Sequence, residues 1–225
     1  MSAADQWNLF LDSFLKILIP GLKMTLPLTV VAFAFAIVIA VIVAMIQYAK
    51  VPVLTQICRF YIWIIRGTPL MVQLAIGYFG LNSIGIKISA FPAAVLVFSL
   101  NEGAYCAETM RGALESVSRG QLEAGYCVGM NYRQIMWHIV LPQAFRTAFP
   151  SLGNSLIGMV KDTSLASNIT YAEMYMVTKR IAGKTYQFML LYVEVALIYL
   201  LFSTVLTWLQ RWGERKLDSY GGSKG

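Results

Sequence analysis

The sequence predicts an all-α fold, a polytopic helical membrane protein with five transmembrane helices. Two observations carry this. Hydrophobic residues make up 58% of the 225-residue chain and charged residues only 13%, against about 25% charged in an average soluble domain. No charge lies between Lys23 and Lys50, nor between Arg66 and Lys87. A run of about 20 apolar residues is what a helix needs to cross the hydrocarbon core. In that core a backbone amide finds no partner outside its own segment, which selects helix.

The elements follow in order. Residues 1–21, with Asp5 and Asp12 before the apolar part, lack the basic start of a cleavable signal peptide. They read as an amphipathic lead-in lying at the membrane surface, with Trp7, Phe10, Phe14 and Ile17 on one side. A single transmembrane domain is expected over 22–212. Its first span is Leu22 to Ile46. The second runs from about Leu54 to Asn82 and carries Arg66-Gly67-Thr68-Pro69-Leu70 inside it. The third is Ala90 to about Met110. The fourth, Ala148 to about Ile169, is interrupted at Lys161-Asp162-Thr163-Ser164, and the fifth is Tyr186 to Leu209. A basic cytoplasmic tail, 213–225, closes the chain.

The net charge of +7 fits Lys and Arg gathering in cytoplasmic loops rather than a nucleic-acid partner. With the N-terminus outside, inside segments hold ten basic residues: Lys50, Arg59, Arg111, Arg119, Arg133, Arg146, Arg211, Arg215, Lys216 and Lys224. Outside segments hold six: Lys16, Lys23, Lys87, Lys179, Arg180 and Lys184. Five spans then put the C-terminus in the cytoplasm. Cys58, Cys106 and Cys127 are too few and too scattered for a disulfide framework or metal site, and the lone His138 supplies no catalytic or metal pair.

The longest inside loop, about 111–147, is polar but helically patterned. Leu122, Tyr126, Met130 and Tyr132 to Met136 recur at helical spacing, punctuated by Gly129 and Asn131. A short helix, a turn, a second short helix and Pro142 opening the fourth span are expected. Within it, Glu123-Ala124-Gly125 is followed after three residues by Gly129, and after nine more by Ile139, Val140, Leu141 and Pro142. This spacing resembles the EAA motif of type I ABC importer permeases, with Gly125 where Ala is usual. The stretches at 66–74, 101–124 and 160–167 are similar to the polar-amino-acid branch of these permeases, and the resemblance covers about residues 20 to 212.

The resemblance implies a bacterial inner-membrane permease that carries no cofactor. ATP and Mg would bind two separate ATPase subunits docked from the cytoplasm. A second copy or a sister permease would complete the membrane part. A periplasmic or lipid-anchored binding protein would deliver a polar amino acid from outside, and lipid would surround the whole. The helix carrying Glu123 to Gly129 would seat in the ATPase and pass its motion to the spans. Glu123 is expected near a helix start, where it complements the macrodipole, and Gly129 at a close backbone approach or a sharp turn.

Charges at membrane depth are functional candidates by default. Asn101, Tyr105 and Glu108 share a face of the third span, with Glu102 beside them. Asp162, Asn101 and Glu102 are expected to face an ammonium group or a cationic side chain. Thr68, Thr163 and Ser164, at broken helices, are expected to face a carboxylate. A plainer role is open for Lys161 and Asp162, pairing with each other or with Glu102 to hold helices. Glu194 is expected in helix packing or at the binding protein, and Arg66 snorkelling or capping a neighbour. The rivals are a stand-alone secondary transporter or channel, which calls for internal repeats that are absent here, and an intramembrane enzyme, for which no catalytic motif is found.

Overall fold

The computed structural model describes residues 3–219, so Lys224 lies outside the described residues. Every regular element among them is helical. α1 (Ala3–Pro20) passes through a π-turn (Gly21–Thr25) into α2 (Leu26–Tyr48). α3 (Pro52–Gly67) ends at the Thr68-Pro69 break. α4 (Leu70–Ala75), a π-turn (Ile76–Gly80) and α5 (Leu81–Ser83) follow. Next come α6 (Ala90–Glu115), α7 (Arg119–Cys127) and α8 (Tyr132–Ile135). A third π-turn (Met136–Val140) leads into α9 (Leu141–Asp162) and then a 3-10 helix (Thr163–Ile169). α10 (Met174–Thr185) and α11 (Phe188–Ser219) complete the chain.

Two of the π-turns have a local cause. Pro27 and Pro142 each sit two residues beyond the end of such a turn. A proline has no N–H for the usual helical bond and its ring presses on the carbonyl four residues back. Widening the preceding turn absorbs this: Leu26 N–H bonds the Gly21 carbonyl, and Leu141 N–H the Met136 carbonyl, each five residues back. Pro142 therefore does not open a new helix. The second short helix predicted for the loop runs on through the π-turn into α9.

Three helices among the described residues are long and apolar enough to cross a membrane. The count is four if the broken pair Pro52–Gly67 and Leu70–Ser83 forms one span. The remaining predicted span, from Ala148, lies in α9 and the 3-10 helix. There Asn154, Lys161 and Asp162 lower the apolar character and Pro150 interrupts the helix. The lead-in is continuous with the first span over Ala4–Tyr48, and the basic tail extends α11 to Ser219.

The chain divides into two compact units. The first comprises Met1–Ala34, Thr68–Ser99 and Leu156–Leu206. Its core packs Ile17, Val160, Met174, Leu191, Val195, Ile198 and Phe202. Ser13 and Ile17 are fully buried, so this part of the lead-in packs on protein. The Ser13 hydroxyl lies 2.6 Å from Glu194 Oε2, and Glu194 is itself buried, which gives it the packing role expected. A Cβ on Gly21 would lie 2.7 Å from the Phe202 ring. The second unit comprises Phe35–Gly67, Leu100–Ser155 and Thr207–Gly225. Tyr61 donates to the Leu100 carbonyl at 2.6 Å and ties α3 to α6. Gln210 Nε2 donates to the Pro150 carbonyl at 3.0 Å and ties the end of α11 to α9.

Candidate functional site

Within the second unit, the segment Glu123 to Pro142 folds as a helix–turn–helix. α7 ends in a Schellman motif. Gly129 N–H bonds the Tyr126 carbonyl at 2.9 Å and Met130 N–H the Gly125 carbonyl at 3.0 Å. Gly129 sits at φ +82° with no atom within 4 Å of where its Cβ would be. Of its two expected roles, the sharp turn is the one found. Asn131 then caps the next helix. Its Oδ1 accepts from Gln134 N–H at 3.0 Å, while Gln134 Oε1 accepts from Asn131 N–H at 2.9 Å, a reciprocal capping box.

Gly125 now has a physical account. It is buried, and a Cβ there would lie 2.8 Å from Ile135 Cγ1 and 3.3 Å from Ile139 Cδ1. The usual Ala would press on α8, so glycine lets α7 and the following helix approach closely. One expectation needs correcting: Glu123 is the fifth residue of a helix that has no acid in its first turn. The macrodipole argument, which fades beyond the first turn, does not apply to it. Glu123 and Ala124 are exposed. Around them Tyr126, Val128, Tyr132 and Trp137 are 52%, 76%, 47% and 71% exposed. A rigid two-helix element with an outward acid and uncovered large side chains is suited to seating in a partner's groove. Leu141 is half-buried and Pro142 exposed, just past the π-turn.

The same unit carries Asn101 and Glu102 on α6. Asn101 is 8% exposed. Glu102 is half-buried and accepts a long bond from Cys106 Sγ at 3.6 Å. The face begun by Asn101 and Tyr105 continues to Glu108, which Arg111 grips with two bonds of 3.2 and 2.9 Å. Arg111 also reaches Glu115 at 2.8 Å. Arg66 is exposed, and its guanidinium lies 5.1 Å from the Tyr105 ring centroid.

The first unit carries Thr68, Asp162, Thr163 and Ser164. Gln73 Nε2 folds back on the Thr68 carbonyl at 3.1 Å and on its hydroxyl at 2.8 Å, closing the break before α4. α4 packs on the 3-10 helix that begins at Thr163. Asp162 ends α9, exposed, and forms no salt bridge with Lys161. Thr163 is fully buried and donates to the Val160 carbonyl at 2.6 Å. Ser164 and Lys161 line a cavity of about 640 Å³ with Tyr175, Tyr192 and Tyr199. Thr163 and Ser164 thus lie in the turn on which α4 packs, Thr68 is exposed just before α4, and Asp162 immediately precedes Thr163.

Sequence reasoning missed Glu173, which caps α10. It is fully buried and accepts from Tyr175 N–H and Met176 N–H at 2.7 Å each and from the Tyr199 hydroxyl at 3.0 Å. Burial raises its carboxyl above the usual carboxylate range, and these donors act against that rise. A Glu at a helix start, without Ser, Thr, Asp or Asn, gave no capping signal.

Residues 36–219 match the family described as binding-protein-dependent transport system inner membrane component. The chain is 40% identical over 221 residues to the L-cystine transport system permease protein TcyB of Bacillus subtilis (strain 168), covering 98% of this chain and 94% of that one. It is 40% identical over 212 residues to the probable amino-acid ABC transporter permease protein PatM of Vibrio harveyi, covering 93% and 95%. A solved amino acid ABC transporter with histidines aligns with a TM-score of 0.85 at 33% identity, over 92% of this chain and 97% of that one. The inward-facing MetNI methionine ABC transporter shares the fold, with a TM-score of 0.76 at 19% identity, over 96% and 99%.

Proposed function

Because the chain belongs to the family of binding-protein-dependent transport system inner membrane components, we propose that it is the permease subunit of an ABC importer for a polar amino acid. It forms the membrane path, and ATP is hydrolysed on separate subunits. The observation that supports this best is the α7–α8 element: a helix with its acid outward, a Schellman turn at Gly129 and a rigid junction into α9. Such an element transmits a push as a rigid body. Nothing in the fold favours the second reading, a stand-alone transporter or channel.

In this reading the ATPase groove receives the exposed side of α7 with Glu123 and Ala124, Glu123 meeting a basic residue there, while Gly125 faces inward against Ile135. A second copy or sister permease and an extracytoplasmic binding protein complete the assembly. The N-terminus is outside and the C-terminus in the cytoplasm, since ten of the loop cations then lie inside. Asp162 in the first unit is a candidate to face an ammonium or a cationic side chain, and Asn101 and Glu102 are separate candidates in the second. Thr68, Ser164 and freed backbone donors face the carboxylate, while Thr163, fully buried and bonded to the Val160 carbonyl, supports that turn from within.

The test is uptake of L-cystine, L-glutamine and L-arginine by the complex reconstituted with its ATPase and binding protein. At least one should accumulate with ATP hydrolysis, and accumulation without ATP would overturn the reading. Glu123→Lys should leave the permease inserted yet cut ATPase stimulation about tenfold or more, through like-charge contact at the interface. Asp162→Asn should raise KM about tenfold with assembly intact, the effect of losing one hydrogen bond to a charged group. Stimulation and KM at the native values would remove these residues from their roles.

A further inference from the structure

One buried hydroxyl in the first unit faces more acceptors than it can serve. Ser13 Oγ lies 2.7 Å from the Leu9 carbonyl, 3.3 Å from the Phe10 carbonyl and 2.6 Å from Glu194 Oε2. A hydroxyl has one hydrogen and two lone pairs. With Glu194 ionised, all three neighbours would be acceptors. The two nearest both stand at the ordinary O–H···O separation, and a single hydrogen cannot lie in both. One of these close oxygen pairs would then hold no hydrogen.

The surroundings point the same way. Glu194 is 1% exposed, Ser13 is fully buried, and Glu194 Oε1 has no hydrogen-bond partner. Leu191, Val195 and Ile198, on the same face of α11, belong to the apolar core, as does Ile17 one turn after Ser13. The charged groups of the neighbouring elements are engaged or exposed elsewhere. On α1, Asp12 and Lys16 pair with each other at 2.6 Å and are exposed. Lys23 in the π-turn is exposed, as are Lys179, Arg180 and Lys184 on α10 and Lys161 and Asp162 at the end of α9. Glu173 on α10 is held by its own three donors. Among the described residues no ion pair reaches Glu194. A carboxylate buried without a cation is the costly case, and a group so placed neutralises instead. With the hydrogen on Oε2 the geometry closes. The acid O–H donates to Ser13 Oγ, and the Ser13 O–H donates to the Leu9 carbonyl. Oε1 is then an uncharged acceptor, cheaper to leave unmet than a charged one.

We infer that Glu194 is a neutral carboxylic acid in the folded permease, and that its hydrogen latches α11 to α1 through Ser13. The two residues are 181 positions apart, so one proton joins the first helix of the chain to the last. Losing it would set a bare charge in the apolar core and undo the contact, which makes the latch a proton-dependent clasp on α1. The clasp is independent of which solute the permease carries.

Infrared difference spectroscopy on the full-length permease in nanodiscs tests the proton. Wild type minus Glu194→Gln should show the carbonyl band of a protonated carboxylic acid. Ser13→Ala should shift that band, because the acid loses its acceptor. Carboxylate bands alone in the difference would overturn the proposal. Thermal unfolding tests the latch. Glu194→Met and Ser13→Ala should each lower Tm by about 2–4 °C, the effect of one hydrogen bond in a chain of this size. The double variant should fall by clearly less than the sum, since both changes remove one shared interaction. Glu194→Gln, whose amide N–H stands in for the acid O–H, should keep the native Tm. Additive losses in the double variant, or a fall in Glu194→Gln as large as in Glu194→Met, would overturn the latch.

Discussion

Gly129→Val should cut binding-protein-stimulated ATPase activity and uptake about tenfold or more, while Gly129→Asn keeps most of both. At φ +82° a β-branched residue is a genuine outlier, whereas Asn tolerates left-handed backbone. The strain, about 1–2 kcal/mol for an ordinary L-residue and more for Val, falls on the turn that holds two bonds, Gly129 to Tyr126 and Met130 to Gly125. Losing them unwinds the end of α7 and lifts Gly125 from Ile135. The permease should still insert, because no span is touched. Equal activity of the Val and Asn variants would show that the turn's backbone conformation is not what transmits the push.

Glu173→Ala should lower the stability of the first unit by about 3 kcal/mol, since removing the acceptor leaves two helix N–H groups and a tyrosine hydroxyl unmet at about 1 kcal/mol or more each. For a chain of this size that is a fall in Tm of roughly 6–12 °C, read by thermal unfolding in detergent. The pH dependence has a definite sign. Burial raises the folded-state carboxyl above its unfolded value, so the folded state binds the proton more tightly. That contribution is fully present below the ordinary carboxylate range and is lost as pH rises from that range through the raised value. Glu173→Gln, which cannot ionise, should flatten that slope. A native Tm for Glu173→Ala would show that the three donors find other acceptors.

Much of the loop was legible before folding. Gly129 and Asn131 announce a turn and a helix start because positive φ and side-chain capping act within a few residues. The role of Gly125 was not legible. Its partners, Ile135 and Ile139, are ten and more residues away, and only packing brings them within contact. Glu173 failed for the same reason. Tyr199, which completes its acceptor set, lies on another helix. The Ser13–Glu194 contact likewise joins α1 to α11.

The chain's sequence by itself determined membrane insertion, helical structure and the spacing of the coupling segment. Hydrophobic runs, charge placement and turn chemistry are local quantities, and the bilayer leaves their backbone only one solution. Tertiary structure alone decided which polar groups are satisfied. It committed Arg111 to Glu108 and Glu115, placed Arg66 over Tyr105, buried Glu194 beside Ser13, and buried the Gln47 side-chain oxygen without a hydrogen-bond partner. Hydrogen bonds and ion pairs depend on angstrom distances between residues far apart in the chain, and those distances exist only once the helices have packed.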